Sequence, residues 1–273
     1  MSACSPDLMP VIAALAQRHA IRAIIRPVRG RDPEGPSRLA ELCARPGPMV
    51  QGKIAQLWGR VVRRRLQRAL RSPSDATREP AVDVPVVDVP CWQVNAAATA
   101  ALIDGYAPHL MVVFGAPILA SAIHALPVRG SINVHLGIAP HYRGAHTLFW
   151  PLLRGDADGV GITIHRIEDG VDTGEVLVQG FPEIRRGDGE AEVWARSILL
   201  AARLLPDAVG AEMAREGRLV PAPGSPPRGE CFRHRDRTPL TDFAYLLRRA
   251  SGRARLAPRP ERVVWHATAA GDP

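Results

Sequence analysis

This 273-residue sequence predicts an α/β fold with a doubly wound, mostly parallel sheet, and three observations carry that expectation. The run Leu110-Met111-Val112-Val113-Phe114 is continuously apolar, the mark of a strand buried on both faces of a parallel sheet. Gly115 and Pro117 then turn the chain into a helix reaching about Leu126, which Pro127 and Gly130 stop just before a second strand. That strand, Ile132-Asn133-Val134-His135, alternates apolar and polar residues, so Asn133 and His135 share one face. Apolar residues make up 46% of the chain and charged residues 23%, ordinary for a soluble globular protein with a substantial core.

Taken in order, residues 2–19 read as a helix. Ser5 or Asp7 stands as N-cap, Leu8, Val11, Ile12 and Leu15 lie on one face, and Pro10 places the true start near Met9. Residues 21–28 form a short β-branched run ended by Pro27. Residues 29–48 read as loop with a helical piece at 37–43. Residues 49–70 read as an amphipathic helix with Ile54, Leu57, Trp58, Val61, Val62, Leu66 and Leu70 on one side and arginines around the rest. The arginine stems suit a solvated face covering apolar surface better than a dedicated membrane or nucleic-acid contact. A linker at 72–80 leads to an extended segment at 82–89, interrupted by Pro85 and so suited to a sheet edge. A helix is expected over 95–106 and another over 146–153. Strands are expected at 161–167 and 175–179, then a long helix over 190–216 that Pro206 kinks or splits. A Pro-rich connector at 221–228, a short strand at 231–234 and a helix at 242–250 follow, with a poorly ordered tail after Leu256. Residues 1–220 are expected to form the main domain, with a helical insertion at about 37–71, and 221–273 a short, partly disordered extension.

The chemistry concentrates in residues 130–174. After Asn133 and His135 the chain turns through Ala139-Pro140-His141-Tyr142-Arg143-Gly144, and the strand 161–167 runs into the acidic turn Glu168-Asp169-Gly170-Val171-Asp172-Thr173-Gly174. An amide, an imidazole and a carboxylate at the ends of neighbouring strands suit acyl chemistry: one group to stabilise an oxyanion, one to supply charge or a proton, one to move protons or fix the imidazole. His141, His146 and His165 have no carboxylate or thiol at ligand spacing, so packing or surface roles are expected and no metal site is assigned.

These residues, in this order and spacing, resemble the 10-formyltetrahydrofolate-dependent formyltransferases, a family spanning methionyl-tRNA formyltransferase, glycinamide ribonucleotide transformylase and the sugar N-formyltransferases. The resemblance covers roughly residues 82–205, with a weaker match over 8–28, and lacks the family's usual first strand. It implies a catalytic set of Asn133, His135 and Asp172. The cosubstrate 10-formyltetrahydrofolate would lie against Phe114, Gly115, Pro117, Ile118 and Leu119 on one side and Asp169, Gly170 and Val171 on the other. Pro140, Tyr142, Arg143 and Gly144 would border the amine. The activity implied is transfer of a formyl group to a small-molecule amine such as an amino sugar or a natural-product intermediate. The alternatives are a formyltetrahydrofolate hydrolase, a methionyl-tRNA formyltransferase-like activity and a non-catalytic folate-binding relative.

The formal charge of +8 rests on arginine, since Lys53 is the sole lysine. Such a surface favours anionic partners without selecting one. Nucleic acid stands behind a small molecule as partner, and self-association is left open. No apolar run is long enough to span a bilayer, and the N-terminus lacks a signal peptide's basic and apolar regions. Cys4, Cys43, Cys91 and Cys231 are widely spaced, which suits reduced thiols and a cytoplasmic location.

Overall fold

A computed structural model describes residues 8–28, 83–215 and 229–266. The expected elements at 37–43 and 49–70, the linker at 72–80 and the connector at 221–228 lie outside these residues. So do Cys4 and Cys43.

Helix α1 spans Met9–Ala16 with Pro10 in its first turn, where the missing N–H would have had no intrahelical partner. It leads into β1 (Ile24–Val28), which pairs in parallel with β2 (Val86–Pro90). Pro27 stays inside β1, opposite Val89, instead of ending the strand. Then come α2 (Ala97–Gly105), β3 (Met111–Phe114), the short α3 (Ser121–His124) and β4 (Ser131–His135). Next are β5 (Tyr142–Gly144), α4 (Phe149–Arg154), β6 (Ile162–Arg166) and β7 (Val176–Phe181). The chain continues through α5 (Glu190–Ala214), β8 (Glu230–Phe232), α6 (Pro239–Ala250) and β9 (Arg262–Trp265).

The α/β architecture is the one the sequence predicts. The larger sheet has the order β3-β4-β6-β7-β9; β3 and β4 run parallel, whereas β4-β6, β6-β7 and β7-β9 are antiparallel. Among the described residues β1 and β2 pair only with each other, and β5 pairs in parallel with β8. Neither β5 nor β9 is expected from sequence, and β9 corrects the reading of a poorly ordered tail. Arg262-Val263-Val264-Trp265 is a β-favouring stretch that adds to the edge left by β7, with Val263 packed on the core.

One face of the larger sheet carries Ile132, Val134, Ile162, Ile164 and Val178, all at most 2% exposed. Helix α5 closes this face with Ile198, Leu200, Ala201, Leu205 and Ala208, and α1 packs along α5. The helix runs unbroken through Pro206, so core burial outweighs the lost backbone hydrogen bond; His19 Nε2 meets the Pro206 carbonyl at 2.8 Å. The start of α5 is fixed where Gly189 N donates to the Glu192 carboxylate at 2.9 Å. Within this interface Arg166 Nε and Nη2 donate to the two oxygens of the fully buried Glu212, both at 3.0 Å, and Nη1 pairs with Glu175. Aromatic packing forms a second core, in which Tyr142 and Trp150 stack on Phe232 while Phe149 meets Tyr245 edge-on.

Gly144 makes the β5-β8 ribbon possible. Its φ is +87°, and a Cβ there would lie 2.1 Å from the Phe232 carbonyl oxygen. Gly144→Ala is therefore expected to lower stability by about 1–3 kcal/mol, read as a fall in urea midpoint at unchanged slope. A neutral result would mean that β8 yields freely.

Candidate active site

The opposite face of β4 and β6 carries the chemistry. Antiparallel register sets Asn133 opposite His165 and His135 opposite Thr163, so four polar side chains share one patch while their apolar neighbours turn to the core. Thr163 braces the floor: its hydroxyl donates to Gly137 O at 2.7 Å and accepts from Ala139 N at 3.0 Å.

Asp172 enters this patch from the turn after β6. Gly170 (φ +130°) and Asp172 itself (φ +49°) reverse the chain, an arrangement aspartate tolerates better than most residues. Gly174 then passes so close to β6 that a Cβ would stand 1.9 Å from Arg166 O. Asp172 Oδ1 accepts from Asn133 Nδ2 at 3.2 Å and lies 3.3 Å from His165 Nε2. Its Oδ2 accepts from Gly144 N at 2.7 Å and lies 3.3 Å from His135 Nδ1. The amide, imidazole and carboxylate read from the sequence therefore converge on one point.

Each imidazole meets a backbone carbonyl with its other nitrogen: His135 Nε2 meets Tyr142 O at 2.8 Å, and His165 Nδ1 meets Arg166 O at 2.7 Å. A carbonyl can only accept, so those nitrogens carry hydrogens, and both rings turn their second nitrogen to one carboxylate. Burial pushes the His135 pKa down; the Asp172 charge opposes that fall and His165 adds to it. For Asp172, burial alone would raise the carboxyl. The His135 charge, the His165 contact and the Gly144 N–H outweigh it and hold the group well below the usual carboxylate range. The result is an ionised carboxylate beside an imidazole that releases its proton readily.

His165 corrects the sequence reading, which gave it a packing or surface role. It is 3% exposed and within 3.3 Å of both Asn133 and Asp172. The alternation that joined Asn133 to His135 also joins Thr163 to His165, but the pairing of the two strands has no local sequence signal.

The expected cosubstrate residues flank the patch. Gly115 (φ +63°) starts the loop after Phe114, and Asn95 holds it, donating to Ile118 O at 3.0 Å and accepting from Ala120 N at 2.8 Å. Ile118 is 74% exposed on this loop, beside Pro117 and Leu119, so its apolar side chain is available to a ligand. Ser121 Oγ donates to Asp169 Oδ1 at 2.6 Å, tying this side to the turn through Gly170 and Val171. Val171 O accepts from Arg143 Nη1 at 3.2 Å.

On the acceptor side, Pro140 follows a cis peptide, and Arg143 and Gly144 border Asp172. Tyr142 departs from its expected place. Its ring is buried in the aromatic core, its hydroxyl donates to Asp156 at 2.8 Å, and its pKa is pushed up to about 12 by burial and that carboxylate. Its carbonyl, not its side chain, serves the site.

His146, two residues beyond Gly144, lies with Nε2 3.3 Å from His234 Nδ1. Burial, then the charges of Arg237 and His234, push its pKa down to about 3 from 6.5. The unfolded chain then takes up a proton that the folded chain refuses, so this contribution is complete above about pH 6.5 and is lost as pH falls towards 3. His146→Gln is expected to flatten the pH dependence of the urea midpoint across that window, and an unchanged profile would refute the assignment. Among the described residues no group of three or more His, Cys, Asp or Glu could hold a metal ion, and no helix is long and apolar enough to cross a membrane.

With this geometry in place, comparison with known proteins is specific. The formyl transferase family model matches residues 71–209, half of the chain. Methionyl-tRNA formyltransferase of Pelobacter propionicus is 34% identical over 143 residues, covering 52% of this chain and 43% of that protein. The same enzyme of Anaeromyxobacter sp. (strain K) is 34% identical over 165 residues, covering 54% and 52%. The chain thus spans about half the length of the curated relatives it matches. Phosphoribosylglycinamide formyltransferase from Bacillus halodurans superimposes with a TM-score of 0.51 at 13% identity, over 79% of this chain and 94% of that one, a likeness of fold alone.

Proposed function

This chain belongs to the formyl transferase family, and from that premise we propose that it moves a formyl group from 10-formyltetrahydrofolate to the amine of a small molecule, an amino sugar or a natural-product intermediate. The observation that carries the reading is the convergence of Asn133 and His135 on Asp172 within 3.3 Å. The flanking loops fit the cosubstrate: an exposed apolar Ile118 stands on one, and the other is tied to the same side through the Ser121–Asp169 hydrogen bond. Phe114, Gly115, Pro117, Ile118 and Leu119 would hold it with Asp169, Gly170 and Val171, and it supplies the formyl carbon that the amine attacks.

The chain's own groups then divide the work. The Asn133 amide donates to the oxygen on which negative charge develops, a contribution of roughly 3 kcal/mol. The new bond from the amine to the formyl carbon replaces the bond from that carbon to the carrier nitrogen. The proton the amine gives up, relayed by the His135–Asp172 pair, ends on the carrier nitrogen, which leaves as tetrahydrofolate. Asp172 stays ionised, stabilises the imidazolium that forms and, held by Gly144 N, keeps the set in register. His165 steadies the other carboxylate oxygen.

A small acceptor is supported by the wall beside Pro140, Arg143 and Gly144. There Glu230 N donates to His141 O at 3.0 Å and β8 pairs along one side of the loop, which leaves less room for a large acceptor than for a small amine. Incubation with 10-formyltetrahydrofolate and a panel of amino sugars tests the reading. Amine-dependent release of tetrahydrofolate with a formylated product is expected. Release without amine would assign a hydrolase, and release driven by aminoacyl-tRNA alone would overturn the small acceptor.

A further inference from the structure

We propose that α6 and the arginines beside its C-terminal half form a docking face for an anionic phospholipid surface. Leu240, Phe243 and Leu247 recur three and four residues apart on α6, a single ridge, with Leu246 alongside. They are 79%, 58%, 55% and 40% exposed. The helix beneath is firmly held. Tyr245 is buried against Phe149, Thr238 caps the N-terminus through Thr241 N, and Arg249 donates to Gly187 O and Asp188 O. The exposure is therefore a property of a fixed helix, and so concentrated an apolar ridge marks an interaction surface.

On the Leu246 side the ridge borders a cleft of about 500 Å³ lined by Arg186, Asp188, Leu246, Arg249, Arg255 and Leu256. Asp188 is engaged by Arg196. Arg186 and Arg255 are exposed and form no ion pair with a described residue. The partner must therefore satisfy aliphatic side chains and unmatched guanidinium groups side by side. A second copy docked face to face would double the number of unmatched guanidinium groups in one seam, because each copy brings the same Arg186 and Arg255. Nucleic acid would meet the charge but leave Leu240 and Phe243 facing phosphate. A bilayer interface supplies both: acyl chains for the ridge and anionic headgroups for Arg186 and Arg255.

Flotation of nuclease-treated protein with phosphatidylcholine vesicles, with and without phosphatidylglycerol, tests this. Binding to the anionic vesicles alone is expected, weakening as salt is raised. The paired change Leu240→Ser with Phe243→Ser, and separately Arg186→Ser with Arg255→Ser, should each reduce the bound fraction on the order of tenfold. Circular dichroism melts and formyl transfer should be unchanged, since none of these residues belongs to the candidate active site. Absence of binding to either vesicle, or equal binding to both, would overturn the proposal. So would a dimer in sedimentation velocity that Phe243→Ser converts to monomer, which would reassign the ridge to a second copy.

Discussion

Asp172→Asn is expected to reduce kcat for formyl transfer on the order of a thousandfold or more while leaving the fold unchanged. Asparagine matches aspartate in shape and is among the residues that accept a left-handed backbone, so the turn at φ +49° should survive. What disappears is the negative charge that two imidazoles share at 3.3 Å each. Without it, burial leaves nothing to stabilise an imidazolium on His135, and an amide nitrogen can take the place of an accepting oxygen. Asn133→Ala and His135→Ala should also abolish turnover, but they alter a strand and are less clean. Single-turnover transfer measured beside a urea titration separates chemistry from folding. A rate within tenfold of the unaltered protein, at normal stability, would remove Asp172 from the mechanism.

Glu212→Ala is expected to have the largest effect on stability, about 3 kcal/mol, because it leaves Arg166 Nε and Nη2 without acceptors in the core and only the partly exposed Glu175 to balance the charge. Arg166 Nε and Nη2 donate to the two Glu212 oxygens at 3.0 Å each, and the two side chains are 7% and 1% exposed. Such a pair owes little to net attraction, since both ions lose water on folding; the large cost comes from leaving two buried donors of Arg166 unmet, with Glu175 reaching only Nη1. Replacing both partners, Arg166→Met with Glu212→Met, should therefore recover most of the loss. Equilibrium urea unfolding of the two variants decides it. If the double variant is no more stable than Glu212→Ala, the pair contributes directly and this account fails.

What the sequence made legible follows from what is local. The apolar run into β3 and the alternation along β4 and β6 are properties of adjacent residues, and each strand forms where the pattern places it. Asn133, His135 and Asp172 could be named because their motifs are short and ordered. The misses depend on distant chain. Pro206 breaks an isolated helix but not one whose neighbours Leu204, Leu205 and Ala208 are buried. β5 and β9 are three and four residues long and exist because β8 and β7 offer them edges. His165 looked idle because its importance comes from the strand opposite. Tyr142 looked like a substrate contact because its burial depends on Phe232, ninety residues later in sequence.

The pleat of β6 carries one more implication. Thr163 and His165 face the candidate site, Thr163 bonded to Gly137 O and Ala139 N and His165 3.3 Å from Asp172, whereas Ile162, Ile164 and Arg166 point to α5. Successive substitutions along this five-residue strand should then fail by turns in two different assays. Odd-numbered positions would weaken turnover in molecules that still melt normally, and even-numbered ones would lower melting in molecules whose folded fraction still works. A drifting lineage can thus tune durability on one side of a single ribbon without disturbing reactivity on the other.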